Sequence, residues 1–135
     1  MHSIKWTQKL DINIGFLNDQ HRTLMDLTNT LRDAVSEGQA VAEVGAIFSR
    51  LIEETERHFH EEEIYMRRYK YPHIIKHKNL HTNILDIVRN LKRRFDESPG
   101  VLTPVNLELL DHWTNHISEH DHDFAVYMTL ISQYV

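Results

Sequence analysis

No cysteine occurs among the 135 residues. That absence removes disulfide scaffolds, thiol nucleophiles, thiolate zinc fingers and iron–sulfur clusters from consideration. Glycine and proline are scarce, at four and three, too few to turn the many short strands of a β-sandwich, so long helices are expected. Positive charge is in deficit: 15 Lys and Arg against 20 Asp and Glu give a formal charge of −5. A nucleic-acid partner, which needs a basic face, is therefore not expected. No run of about 18 apolar residues is present to cross a bilayer, and the start, Met1 to Trp6, lacks the charged-then-apolar pattern of a signal peptide. The expectation is a cytoplasmic protein, a single domain over 1–135, with no membrane insertion. What is plentiful is histidine: eleven residues, most of them between His58 and His122.

The few helix breakers divide the chain into four helical stretches. Gly38 reads as a helix end, because glycine takes the left-handed cap conformation without cost. Tyr69-Lys70-Tyr71-Pro72 marks a second break, with Pro72 placed to open the next helix. Asp96-Glu97-Ser98-Pro99-Gly100 ends the third helix, and Thr103-Pro104 supplies an N-cap and first-turn proline for the fourth. Asn18 or Asp19 is expected to cap the first. The predicted helices run over about 18–37, 41–68, 72–95 and 104–132, preceded by an arm, 1–17, that carries Trp6. Short connections between four such helices predict an all-α, up-down-up-down four-helix bundle with an N-terminal arm.

Apolar residues recur at alternating spacings of three and four in each stretch, the inward stripe of a bundle helix. The first stripe reads Leu17, His21, Leu24, Thr28, Leu31, Val35; the second Val44, Phe48, Leu51, Thr55, His58, Glu62. The third reads Ile74, His77, His81, Ile84, Val88, Leu91, Phe95. His21, His58, Glu62, His77 and His81 thus stand where an ordinary bundle has leucine. Buried polar groups cost several kcal/mol each unless they find partners. One partner shared at the middle of the bundle, a metal, accounts for all five together.

The fourth stretch offers several candidates. Its lower stripe is Leu102, Val105, Leu109, His112, His116, and its upper stripe runs back from Ile131 through Met128 and Phe124 to His120 or Asp121. Regular α geometry favours His120, four residues after His116. Asp121, five after, lies about 140° away around an undistorted helix, and only a wide turn such as a π-bulge would aim both inward. Periodicity leaves the two undecided.

Four motifs in this order resemble the hemerythrin family, and its single-domain bacterial members in particular. They are Asp19-Gln20-His21-Arg22-Thr23-Leu24; His58-Phe59-His60-Glu61-Glu62-Glu63-Ile64-Tyr65-Met66; Tyr71-Pro72 followed by His77-Lys78-Asn79-Leu80-His81; and His116-Ile117-Ser118-Glu119-His120-Asp121. Each is weak alone, but the four at these separations are specific and cover nearly the whole chain. The resemblance implies a non-haem di-iron centre, with one iron held by His77, His81 and His116 and the other by His21 and His58. Glu62 and Asp121 would each bridge the pair, with an oxo or hydroxo group as a third bridge. The family pattern has the five-residue spacing and so selects Asp121 over His120. It also excludes His73, which the third stripe excludes independently. The family often carries tryptophan four residues before the fourth-helix histidine; here that position is His112 and the tryptophan is Trp113.

With that ligand set, two metals offering about twelve positions have one left open, on the ion with two histidines. One zinc, with about four ligands, would not use so many donors. The resemblance implies reversible O₂ binding there, the two ferrous ions supplying one electron each, for oxygen transport, storage or delivery to an oxygen-consuming enzyme. A histidine-rich set favours binding O₂ over oxygen activation, whose sites use more carboxylates. The protein is therefore not expected to be an enzyme. The other readings are a di-iron oxidase or peroxide or nitric-oxide scavenger, an oxygen or iron sensor, and a structural zinc or metal-free bundle. Leu24, Phe59, Ile117 and Trp113 are candidates for a dry wall around the site. His2, His60, His73 and His122 are expected in solvent, Lys92-Arg93-Arg94 at a helix C-terminus complements its dipole, and the chain is expected to be a monomer.

Overall fold

The computed structural model describes residues 14–101, 111 and 115–132. Helix α1 spans Gly15–Ser36, α2 Val41–Arg68 and α3 Ile74–Glu97. A short 3-10 turn, Pro99–Val101, follows α3, and the chain re-enters as a π-helical turn, Ile117–Asp121, continuing directly into α4, His122–Ser132. No strand occurs among the described residues. Short connections at 37–40 and 69–73 reverse the chain between neighbours, and the expected all-α four-helix bundle is what forms. No described helix is long and apolar enough to cross a membrane. Residues 1–13 of the expected arm, Trp6 among them, the Thr103-Pro104 start of the fourth helix, and Leu102, Val105, Leu109, His112 and Trp113 lie outside the described residues.

The three stripes read from periodicity are the buried faces. Leu17, His21, Leu24, Thr28 and Leu31 of α1 are buried, as are Val44, Phe48, Leu51, Thr55, His58 and Glu62 of α2, and His77, His81, Ile84, Val88, Leu91 and Phe95 of α3. They divide the bundle into halves. The half holding Leu31, Phe48, Leu91 and Phe95 is apolar, with the Phe48 and Phe95 rings 6.1 Å apart; the other half holds the histidines. The threonines on the stripes bond to their own helices, Thr28 Oγ1 donating to the Leu24 carbonyl at 2.8 Å and Thr55 Oγ1 to that of Leu51 at 2.7 Å. Buried Arg32 pairs with Asp111.

The helix ends correct several expected boundaries. Helix α1 starts at Gly15, and the backbone N–H of Asn18 already donates to the Ile14 carbonyl at 2.9 Å, so neither Asn18 nor Asp19 is its cap. Burial of Leu17, at 0% exposure, draws residues of the expected arm into the first turn. Pro72 does not open α3, which starts at Ile74 and ends at Glu97. Pro72 instead occupies the second position of a turn closed by the Ile74 N–H on the Tyr71 carbonyl at 3.3 Å, a position its fixed φ suits. Burying Tyr71 against Phe124 uses the residues the helix would otherwise have taken.

Helices α1 and α2 end alike. Gly38 has φ 68°; its N–H donates to the Val35 carbonyl at 3.2 Å, and the N–H of Gln39 donates to that of Ala34 at 3.0 Å. The same six-to-one, five-to-two pattern closes α2, from Tyr71 to Met66 at 2.9 Å and from Lys70 to Arg67 at 3.2 Å. There the left-handed position, φ 56°, is held by Lys70 rather than glycine. Tyr127 of α4 donates its hydroxyl to the carbonyls of Tyr69, at 2.7 Å, and Lys70, at 3.1 Å, tying the last helix to this turn. A left-handed non-glycine residue costs roughly 1–2 kcal/mol. Lys70→Gly is therefore expected to raise stability by up to about 1 kcal/mol, and Gly38→Ala, which meets no atom within 4 Å, to lower it by about 1 kcal/mol through the backbone alone, both read from urea denaturation.

Candidate metal centre

His21 lies on α1, His58 and Glu62 one turn apart on α2, and His77 and His81 one turn apart on α3. Residues four apart stack on one helix face, so each pair points into the bundle together. His116 and Asp121 flank the π turn. A wider turn shifts the register by one residue, which brings a five-residue spacing onto one face. Both are buried, Asp121 completely, whereas the His120 side chain is 28% exposed. All seven expected residues meet in one buried cluster.

The two carboxylates organise it. Glu62 Oε1 is 2.8 Å from His77 Nε2 and 3.0 Å from His81 Nε2, while its Oε2 is 3.3 Å from His58 Nε2 and 3.6 Å from His21 Nε2. Asp121 Oδ1 is 2.7 Å from His77 Nε2 and 2.9 Å from His116 Nε2, and its Oδ2 is 3.1 Å from His21 Nε2. Each carboxylate thus turns one oxygen to a three-histidine group and the other to a two-histidine group. His116 Nε2 lies 3.0 Å from that of His77 and 3.1 Å from that of His81. Adjacent donors about 2.1 Å from a common octahedral centre would stand about 3 Å apart.

The cluster is short of hydrogen bonds. Glu62 Oε2, both Asp121 oxygens and both ring nitrogens of His21 are out of water with no well-directed hydrogen bond among the described residues. Native interiors leave few such groups, and a cluster of them calls for a further partner. The donors, nitrogen and carboxylate oxygen without thiolate, suit a pair of metal ions of the imidazole-binding kind, iron among them. Glu62, His77, His81, His116 and Asp121 could hold one ion, and His21, His58, Glu62 and Asp121 the other.

The same contacts set the charge balance of the cluster. Burial opposes ionisation of Glu62 and Asp121, but the surrounding imidazoles outweigh it and hold both well below the usual carboxylate range. Burial also opposes a charge on His21, His77 and His116, yet Asp121 and Glu62 reverse the balance, lifting His21 to about 9, His116 to about 10, and His77 above its ordinary value. For His58 burial wins and the ring stays neutral to lower pH.

Outer partners orient two rings. His81 Nδ1 lies 2.8 Å from Glu63 Oε2, and His58 Nδ1 lies 2.6 Å from Gln20 Oε1, whose amide group donates in turn to Glu61. Phe59, expected in the wall, lies flat on His81 with ring centres 3.8 Å apart and 6° between planes. Leu24 and Ile117 are buried as expected. His60, His73 and His122 are exposed, and His120 sits beside His116, ring centres 5.6 Å apart, outside both ligand groups. Gln20, Glu61 and Glu63 were not singled out by periodicity, since they lie beside the inward stripes; their one available signal is adjacency to His21 and Glu62. Metal binding needs neutral imidazoles, so His21 and His116 must each surrender a proton. Loading metal-free protein near pH 7 is expected to release at least two protons per chain, seen by a pH indicator in weak buffer, with apparent affinity rising as pH increases towards about 9.

Comparison with known proteins bears on the fold that carries this cluster. The family model described as hemerythrin HHE cation binding domain matches residues 13–127. The bacteriohemerythrin of Methylococcus capsulatus is 28% identical over 123 residues, covering 90% of this chain and 93% of its own. That of Stenotrophomonas maltophilia is 29% identical over 126 residues, covering 93% and 81%. A wild-type hemerythrin crystal structure superposes with a TM-score of 0.83 at 27% identity, covering 90% of this chain and 95% of that one. With a matching domain over most of its length and a buried cluster of histidines and carboxylates in the matching fold, the chain belongs to the hemerythrin family.

Proposed function

We propose that the protein binds O₂ reversibly at a non-haem di-iron centre held by His21, His58, Glu62, His77, His81, His116 and Asp121, and serves in oxygen transport, storage or delivery to an oxygen-consuming enzyme. The observation that carries this reading is the sharing of Glu62 and Asp121, one oxygen each, between a three-histidine and a two-histidine group. A ferrous pair bound there supplies the two electrons and the open coordination position that O₂ binding needs.

The residues have distinct tasks in this reading. His77, His81 and His116 saturate one side with nitrogen donors, so the small ligand is left to the side of His21 and His58. Glu62 and Asp121 hold the two halves at a fixed separation and balance their charge. Leu24 and Ile117, both buried, contribute in this reading to a dry wall around the centre, and dryness slows loss of the ferrous state. Phe59 presses on His81 and fixes its plane.

Metal analysis with visible spectra, under air and after reduction, tests the proposal. Two irons per chain and a charge-transfer band that appears with O₂ and fades on deoxygenation are expected; turnover of O₂ with a reductant far above autoxidation would assign an enzyme instead. Glu62→Ala and Asp121→Ala are each expected to lose one or both irons, whereas His120→Ala should retain both. Loss of iron in His120→Ala with retention in Asp121→Ala would overturn the ligand assignment in the π turn.

A further inference from the structure

The two halves of the centre differ in what stands behind their histidines as well as in number. A carboxylate can only accept a hydrogen bond, so Glu63 Oε2 at 2.8 Å makes His81 Nδ1 the protonated nitrogen and leaves the Nε2 lone pair facing the site. His58 is set by a longer chain. The Glu61 carboxylate takes the Gln20 amide N–H, which turns Gln20 Oε1 toward His58, 2.6 Å from Nδ1. Both rings therefore aim Nε2 inward, but one leans on an anion and the other on a neutral amide. His21 Nδ1 and His116 Nδ1 find no hydrogen-bond partner among the described residues. A carboxylate behind a ligating imidazole makes the ring more basic and strengthens its bond to the metal, whereas an amide orients it without adding charge.

We propose that Glu63 and Gln20 are positioning residues that make the two metal sites unequal: Glu63, acting through His81, strengthens the three-histidine site so that it fills first, and Gln20, held by Glu61 and acting through His58, keeps the two-histidine site the weaker. The inequality assigns the firmly held ion to the side saturated with nitrogen donors. The more electron-poor ion falls on the side where a small ligand enters. Glu63 is suited to this because its side chain, 19% exposed, places Oε2 2.8 Å from His81 Nδ1 at the edge of the buried site. The packing of Phe59 flat on His81 keeps the imidazole plane in line with Glu63. The inference rests on the di-iron reading of the centre.

Anaerobic titration of metal-free protein with Co²⁺, followed by its visible ligand-field bands and by competition with a chelator, tests the assignment without reference to O₂. Two ions are expected to bind wild type in separable steps. Glu63→Gln keeps the shape but removes the charge, and should weaken the first step roughly tenfold or more while changing the second much less. Moving the carboxylate by the double substitution Gln20→Glu with Glu61→Gln keeps the hydrogen-bonded chain and should strengthen the second step by a similar factor. In the iron-loaded proteins the first variant should raise the reduction potential and the double variant lower it. A purely structural role would move the melting temperature of the metal-free protein and leave the ratio of the two steps unchanged, and that result would overturn the proposal. Equal weakening of both steps by Glu63→Gln would do the same. If wild type takes up no cobalt and no iron, the metal centre itself falls, which two intact steps unaffected by either variant would not imply.

Discussion

The pairing of two buried carboxylates with five imidazoles governs this structure. Glu62 and Asp121 are wholly buried with their ionisation favoured, and two like charges so placed are stable only because each oxygen faces imidazole nitrogens at 2.7 to 3.6 Å. Removing any one contributor leaves another's charge or lone pair uncompensated in an apolar medium. The angular register of all four helical segments is therefore tied to a single point. The π turn is the clearest consequence: a regular helix would carry Asp121 away from His116, and the chain widens at Ile117–Asp121 so that both remain inside.

The rest of the bundle supplies the rigidity that such a cluster needs and cannot give itself. Half of the interior is ordinary apolar packing, with Leu31, Phe48, Leu91 and Phe95 nearly or fully removed from water. Each such side chain contributes roughly 1.5–3 kcal/mol by burial, stabilisation that offsets the desolvation of the polar half. The helix ends serve the same purpose. The left-handed turn at Lys70 delivers Tyr71 to the core, and Tyr127 bonds back across that turn, so the start of α3, and with it His77 and His81, is held from two sides. Phe59, Glu63, Gln20 and Glu61 then fix individual rings.

Much of this was legible in the sequence, and the reason is periodicity. Histidines and a glutamate at positions where leucine belongs are visible without coordinates, because helical spacing fixes which residues share a face. The absence of cysteine together with that pattern already specified nitrogen and oxygen donors. The helix ends were less legible. Asn18 looked like a cap and Pro72 like a first-turn residue, yet burial of Leu17 and Tyr71 overrode both local preferences. Local propensity amounts to about 1 kcal/mol, and burying one large side chain exceeds it.

By itself the sequence determined the helical class, the inward stripes and the presence of a polar cluster on them, since all three follow from spacing along one chain. Only the tertiary structure decided how the donors meet. Periodicity, which assumes a regular backbone, leaves His120 and Asp121 open where the family resemblance favours Asp121; the π turn buries Asp121 and leaves His120 partly exposed. The same holds for the carboxylate behind His81 and the amide behind His58. Those contacts join α2 to α3 and α1 to α2, and no spacing within a single helix encodes a distance between two.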